Sequence, residues 1–198
     1  MLRIVNLEEI QGLLLRIPSL VNLQEKKDAT FVPEVKRWLN DVEKIFENNR
    51  LAIAGRIAVL RAELISAEAG ILPARIVFHG RPTARKIRDA TAAAALREAS
   101  GIIPPVIEED KTRFDGAERL GRQLVALARA KGIPTAQSNI FDHTERLKIL
   151  WQLFRNDPDI APGTVTMEGL VGPHDALVIL DRTLTRDEPG YSTVSIPR

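Results

Sequence analysis

The sequence predicts a mostly α fold: N-terminal antiparallel helical hairpins followed by a helical region with one or two short β segments. Apolar residues recur at three- and four-residue spacing through most of the chain, the mark of amphipathic helices. Proline and glycine punctuate those runs. Only two stretches read as strand, ARIVFHG at 74–80 and DALVILD at 175–181, and the second fits a helix equally well.

Taken in order, Asn6 is the first cap candidate, with Glu8 and Glu9 in the turn that follows and Leu7, Ile10, Leu14 and Ile17 on one face. Pro18 interrupts, and Ser19 restarts a helix toward Lys27. Thr30 is the next cap, with Pro33 and Glu34 suited to the first turn. Val35, Trp38, Leu39, Val42, Ile45 and Phe46 then make a full apolar stripe, read as bundle core, and Asn48 and Asn49 end the helix. Ile53, Ile57, Leu60, Leu64 and Ala67 mark another helix, closed by Gly70 and Pro73. Short connections make these segments an antiparallel bundle over 1–72.

Residues 73–186 form a second, mainly helical region. Gly80 offers a sharp turn after the strand-like run, Pro82 suits a helix start, and good helix formers continue to Arg97 with Gly101 as the stop. Pro104 and Pro105 place a loop at 102–110 and a further candidate boundary at 102–111. A helix over 112–131 presents Ala117, Leu120, Leu124 and Leu127 on one face and stops at Gly132. Asp142 caps a helix with Leu147, Leu150, Trp151 and Phe154. Residues 166–171 read as a short helical turn, and 173–184 as a last helix or a strand. Residues 187–198, with Pro189, Gly190 and Pro197, read as an extended tail that packs weakly.

The absence of cysteine excludes disulfides, thiol catalysis and Cys-based zinc sites. Residues 1–11 lack the apolar core of a signal peptide and no apolar run is long enough for a bilayer span, so a cytoplasmic protein with no membrane partner is expected. The histidines, His79, His143 and His174, have no second ligand at helical spacing, so neither a metal nor another cofactor is expected. Glu109, Asp110 and Lys111 match the short ExK pattern of metal-dependent nucleases, but in a proline-led loop.

Charge is concentrated. The protein carries a net +2, yet residues 74–97 alone hold six basic residues against one acid. Arg75, His79, Arg81, Arg85, Lys86 and Arg88 are therefore the candidate anion-binding residues. Cations crowd a predicted helix start, where the dipole already favours anions, and guanidinium groups with free N–H groups suit phosphate.

The stretch RIVFHGRPT at 75–83 resembles the His-Gly strand of ADP-ribosyltransferases, in which the histidine contacts the nicotinamide nucleotide. The resemblance covers nine residues and implies an enzyme with a nucleotide substrate and His79 in that role. Such enzymes also use a tyrosine and a glutamate on later strands, and the one tyrosine here is Tyr191, in the tail.

The leading expectation is a non-enzymatic helical interaction or adaptor subunit of a larger assembly, with another protein as its partner. The alternative is a nucleic-acid or phosphate-binding module using 75–97. Phe78 is the one aromatic in that segment, so phosphate contact is expected over base stacking.

Overall fold

The computed structural model describes residues 2–78, 82–135 and 143–186. Among these, eight α-helices and no strand are present. They are α1 (Ile4–Leu15), α2 (Ile17–Glu25), α3 (Phe31–Asn48), α4 (Ile53–Glu68), α5 (Ala84–Ala130), α6 (His143–Asn156), α7 (Ala161–Val171) and α8 (Pro173–Arg186). The chain divides into two compact units, Met1–Asp110 and Lys111–Arg198, so α5 contributes to both.

In the first unit the most extensive helix pairing is α3 on α4, with α1 and α2 against α3. The α3 stripe is buried as its spacing requires: Val35, Trp38, Leu39, Val42 and Phe46 are fully enclosed, together with Ile57 and Leu64 of α4. Trp38 also spends its polar edge, donating Nε1–H to Leu13 O at 2.8 Å. One charge pair is built into this contact. Glu43 is 6% exposed and accepts Arg61 Nη2 at 3.0 Å and Nε at 2.5 Å, a fork-on-carboxylate arrangement that raises the Arg61 pKa.

Four helices end the same way. After α2, α3, α4 and α5 the chain passes through a left-handed residue, respectively Lys27, Arg50, Gly70 and Gly132. In each case the next N–H bonds back five residues: Asp28 N to Leu23 O, Leu51 N to Phe46 O, Ile71 N to Ser66 O and Ile133 N to Ala128 O. This is the Schellman stop, normally a glycine device. At Lys27 and Arg50 the side chain makes that conformation costly, by about 1 kcal/mol each.

Three expectations are corrected, and one left open is decided. The strand expected at 74–80 is not formed in its described part, 74–78: residues 74 and 75 make a turn and 76–78 have no regular structure. Of the two readings of DALVILD, helix is the one that forms: the stretch lies inside α8. The proline-led loop is helix: α5 runs unbroken through Pro104 and Pro105, with Ile103 and Ile107 buried and both prolines facing solvent. The carbonyls of Ser100 and Gly101, which those prolines cannot serve, lie on the partly or fully exposed side, where water can serve them. Asn6 does not cap α1, which begins earlier at Ile4. Its side chain donates to Asn49 Oδ1 at 2.9 Å instead.

The second unit packs α6, α7 and α8 pairwise. Its core holds Phe114, Trp151, Phe154, Ile160, Met167 and Leu180, whereas Leu127, expected inside, is 37% exposed. Trp151 Nε1 donates to Glu168 Oε1 at 2.8 Å, and Glu168 also takes Arg155 at 2.5 Å. The α6–α7 turn is tied by Asp157, whose carboxylate accepts Lys131 Nζ at 2.8 Å and the N–H of Asp159 at 2.9 Å. These bonds hold its pKa below the ordinary carboxylate range, Lys131 contributing most. Gly163 lets α7 approach α5, since a Cβ there would stand 2.4 Å from Leu124 Cδ2. The expected tail at 187–198 and the Asp142 cap lie outside the described residues. No helix of the described residues is long and apolar enough to cross a membrane.

Trp38 carries the first unit's core. Trp38→Ala is expected to lower the unfolding free energy by about 3–5 kcal/mol, read from urea denaturation. A loss under about 0.5 kcal/mol would show that this face is not core.

Candidate functional site

The basic segment is split by the fold. Arg75 lies in the connection between α4 and α5, where Nη2 pairs with Glu63 Oε2 at 2.5 Å and Nη1 pairs with Glu98. Glu98 takes a second cation, Arg56 Nη2, at 2.8 Å. Arg56, Glu98, Arg75 and Glu63 thus form a four-membered network with no net charge, drawn from α4, α5 and the connection between them.

His79 and Arg81 lie outside the described residues. Arg85, Lys86 and Arg88 stand on exposed positions of the first turns of α5. That start is capped by Thr83, whose Oγ1 accepts the Lys86 N–H at 3.3 Å. No acid occupies the first turn of α5. Arg85 is 63% exposed along its side chain and reaches Asp89 only at 3.6 Å. Its Nη2 donates to Lys27 O at 3.0 Å.

That last bond brings in residues the sequence reading missed. It sets the Lys27 backbone beside Arg85 at the start of α5, although 58 positions separate the two. Lys27 is also one of the two strained left-handed residues, so a charged side chain sits where glycine would be easier. Two adjacent lysines at a helix end were the only signal in the sequence, and spacing alone could not have joined them to α5.

The ground beside this cluster is mixed in charge. A cleft of about 290 Å³ is lined by Arg85 and Arg88 but also by Asp28, Glu68 and Asp89. Two of the acids are engaged. Asp28 Oδ1 accepts the Thr30 N–H at 2.8 Å and its hydroxyl at 2.7 Å, which lowers the Asp28 pKa, and Glu68 pairs with Lys36 at 2.5 Å.

The remaining candidates are dispersed. Glu109, Asp110 and Lys111 lie on α5, not in a loop, and buried Asp110 accepts the Leu2 N–H at 3.1 Å. His143 Nε2 lies 2.8 Å from Asp181 Oδ1, and His174 is exposed at the start of α8. Among the described residues no three His, Asp or Glu side chains group as metal ligands. The His-Gly stretch has no strand context in its described part, residues 75–78. No protein-family model matches the chain, and no curated protein or solved structure matches it either.

The strain at Lys27 is measurable. Lys27→Gly is expected to raise stability by about 1 kcal/mol in urea unfolding, since glycine accepts the left-handed conformation. Lys26→Gly, at a right-handed position, is expected to lower it.

Proposed function

We propose that this chain is a non-enzymatic helical interaction module, a subunit or adaptor of a larger assembly. The observation that supports this is the apolar surface left at the end of α4 and in the connection after it. Ile65, Ile71, Leu72 and Val77 are 43%, 61%, 41% and 81% exposed, four large apolar side chains within residues 65–77. Surfaces carry single exposed apolar residues without consequence, but a cluster of this density suits contact with another protein. The Schellman stop at Gly70 commonly sets the residue after the glycine, here Ile71, against the residue one turn inside the helix end, here Ile65. The four-membered ion-pair network around Arg75 belongs to the same connection and supplies a polar rim.

A second reading, contact with phosphate or a nucleic-acid backbone, is supported by the hydrogen bond from Arg85 to Lys27 O. It brings the segment that carries Lys26 and Lys27 to the start of α5, which carries Arg85, Lys86 and Arg88. It keeps the cation set of the sequence reading at Arg85, Lys86 and Arg88 and adds two lysines.

One experiment separates the two. The tagged chain is used for capture from native lysate with and without nuclease, beside a variant carrying Ile71→Ser, Leu72→Ser and Val77→Ser. A protein partner retained after nuclease and lost with the triple variant is the expected result. A partner that persists with the variant removes the apolar-surface reading. Nuclease-sensitive capture, with oligonucleotide binding that weakens at moderate salt and flattens in Arg85→Gln/Lys86→Gln/Arg88→Gln, would favour the second.

A further inference from the structure

The face of α4 that points away from its own core is apolar as well. Ile57, Leu60, Leu64 and Ala67 fill the buried side. On the far side, Ala52, Gly55, Val59, Ala62, Ser66 and Ala69 recur at alternating steps of three and four, which sets them in one line along the helix. All but Ser66 are exposed, Val59 at 58%, and Ile65 stands beside the line at 43%. The neighbouring α3 follows the usual rule, with Arg37, Lys44 and Glu47 on its exposed side. α4 breaks that rule, and a helix apolar on both sides is one that becomes covered on both.

The charges of α4 leave this face bare because they are used at its flanks. The helix has four charged residues, and each is paired within the first unit. Arg61 pairs with Glu43, Glu68 with Lys36 and Glu63 with Arg75, all at 2.5 Å, and Arg56 pairs with Glu98 at 2.8 Å. Arg61 and Glu68 border the line on the α3 side, and Arg56 and Glu63 border it on the side of α5 and the connection. Gly55 has open space where a Cβ would stand, so no neighbour in the chain calls for a glycine there.

We infer that this face is a two-fold contact with a second copy of the chain, one α4 lying antiparallel on the other. The inference rests on the interaction reading above and names a partner for it. Shape selects a second copy. Turned about its midpoint, the line sets Ala52 against Ala69, Gly55 against Ser66 and Val59 against Ala62. Every facing pair holds an alanine or a glycine, so the face fits itself without opposing two large side chains, and the backbones come close. Charge selects the direction. The two-fold axis lays the edge carrying Arg56 and Glu63 along the same edge of the other copy, so that Arg56 falls beside a glutamate and Ile65 beside Ala58. A parallel pair would set those charges against the apolar edge instead. The Arg56 side chain is 66% exposed, so its fork can serve Glu98 and a second carboxylate together. Size sets the strength. A helix of this length, about 24 Å, covers less than the about 800 Å² per partner of a standard interface, although exposed Ile71 and Leu72 adjoin its end. The dimer is therefore reversible, with micromolar dissociation.

The test is sedimentation equilibrium of the full chain from about 1 µM to about 1 mM, a range that brackets such dissociation. The expected mass rises with concentration from 22.0 kDa toward twice that value. Ala62→Glu, at an exposed helical position, should keep the circular dichroism and urea midpoint of the parent and stay monomeric throughout. Ala62→Leu adds apolar surface, which would tighten an unspecific association. On a closely packed line it should instead weaken the dimer about tenfold. The absence of cysteine allows the direction to be read by cross-linking. Ala52→Cys and Ala69→Cys chains, oxidised together, should give a mixed disulfide dimer. Neither should do so alone, because like ends of an antiparallel pair lie about 25 Å apart. Disulfide dimers from Ala52→Cys alone, dimerisation unchanged in Ala62→Glu, or a monomer at every concentration would overturn the proposal. A lysate partner lost in Ile71→Ser/Leu72→Ser/Val77→Ser, from a chain that is itself always monomeric, would overturn it too while leaving the interaction reading in place.

Discussion

Both units depend on one stripe of buried side chains along α5. In the first unit it steps by four: Ile87, Thr91, Ala95, Ala99, Ile103 and Ile107 are all buried. Beyond Ile107 it alternates three and four, through Asp110, Phe114, Ala117, Gly121, Leu124 and Ala128. Four residues exceed one helical turn, so the first half of the stripe winds around α5, whereas alternating threes and fours keep the second half nearly parallel to the axis. The spacing changes where the chain divides into its two compact units, after Asp110. The division is thus written in the period of one helix and not in a break of the backbone.

The same stripe explains why two adjacent prolines fail to end the helix. A proline inside a helix costs about 3 kcal/mol, through a lost hydrogen bond and a ring clash. Against that stand Leu96, Ala99, Ile103 and Ile107, all buried on the face opposite the prolines, where each large apolar side chain contributes about 1.5–3 kcal/mol. Placement settles the balance. The prolines sit on the solvent side, so the unserved carbonyls lie toward water rather than in the core, and their desolvation cost is avoided. Ser100 sits just upstream, its hydroxyl donating to Leu96 O at 2.5 Å, a back-bond of the kind that accommodates a bend.

This also marks what the sequence could show. Where pattern and packing agree, the fold was legible. The α3 stripe from Val35 to Phe46, the break before Pro18, and the stops at Gly70 and Gly132 all follow from local rules, and the core of α3 and α4 lies where periodicity places it. Where a tertiary term outweighs a local one, the reading failed. The rule that proline breaks helices hid the union of two helices into α5, and β-propensity suggested a strand at 74–78 that has no partner strand to pair with among the described residues. The ends of α2 near Lys27 and of α3 at Asn48 and Asn49 were expected, but the left-handed conformation at Lys27 and Arg50 was not legible, because neither residue favours it. Of the six residues singled out in the basic segment, Arg85, Lys86 and Arg88 share the start of α5, Arg75 is engaged elsewhere, and His79 and Arg81 are not described. Lys27 enters through a backbone carbonyl, which no side-chain pattern encodes.

Linear charge density proved a poor guide to local charge for a simple reason. An ion pair needs about 3–4 Å, and folding supplies that distance between residues far apart in the chain. Arg75 lies in the most basic stretch of the sequence, yet carboxylates from positions 63 and 98 leave it balanced. The second unit follows the opposite course. Residues 111–198 carry twelve basic and eleven acidic side chains, close to balance. Even so, the close approach of α5 and α8 at Gly121 brings Glu118 and Arg122 beside Arg182 and Arg186.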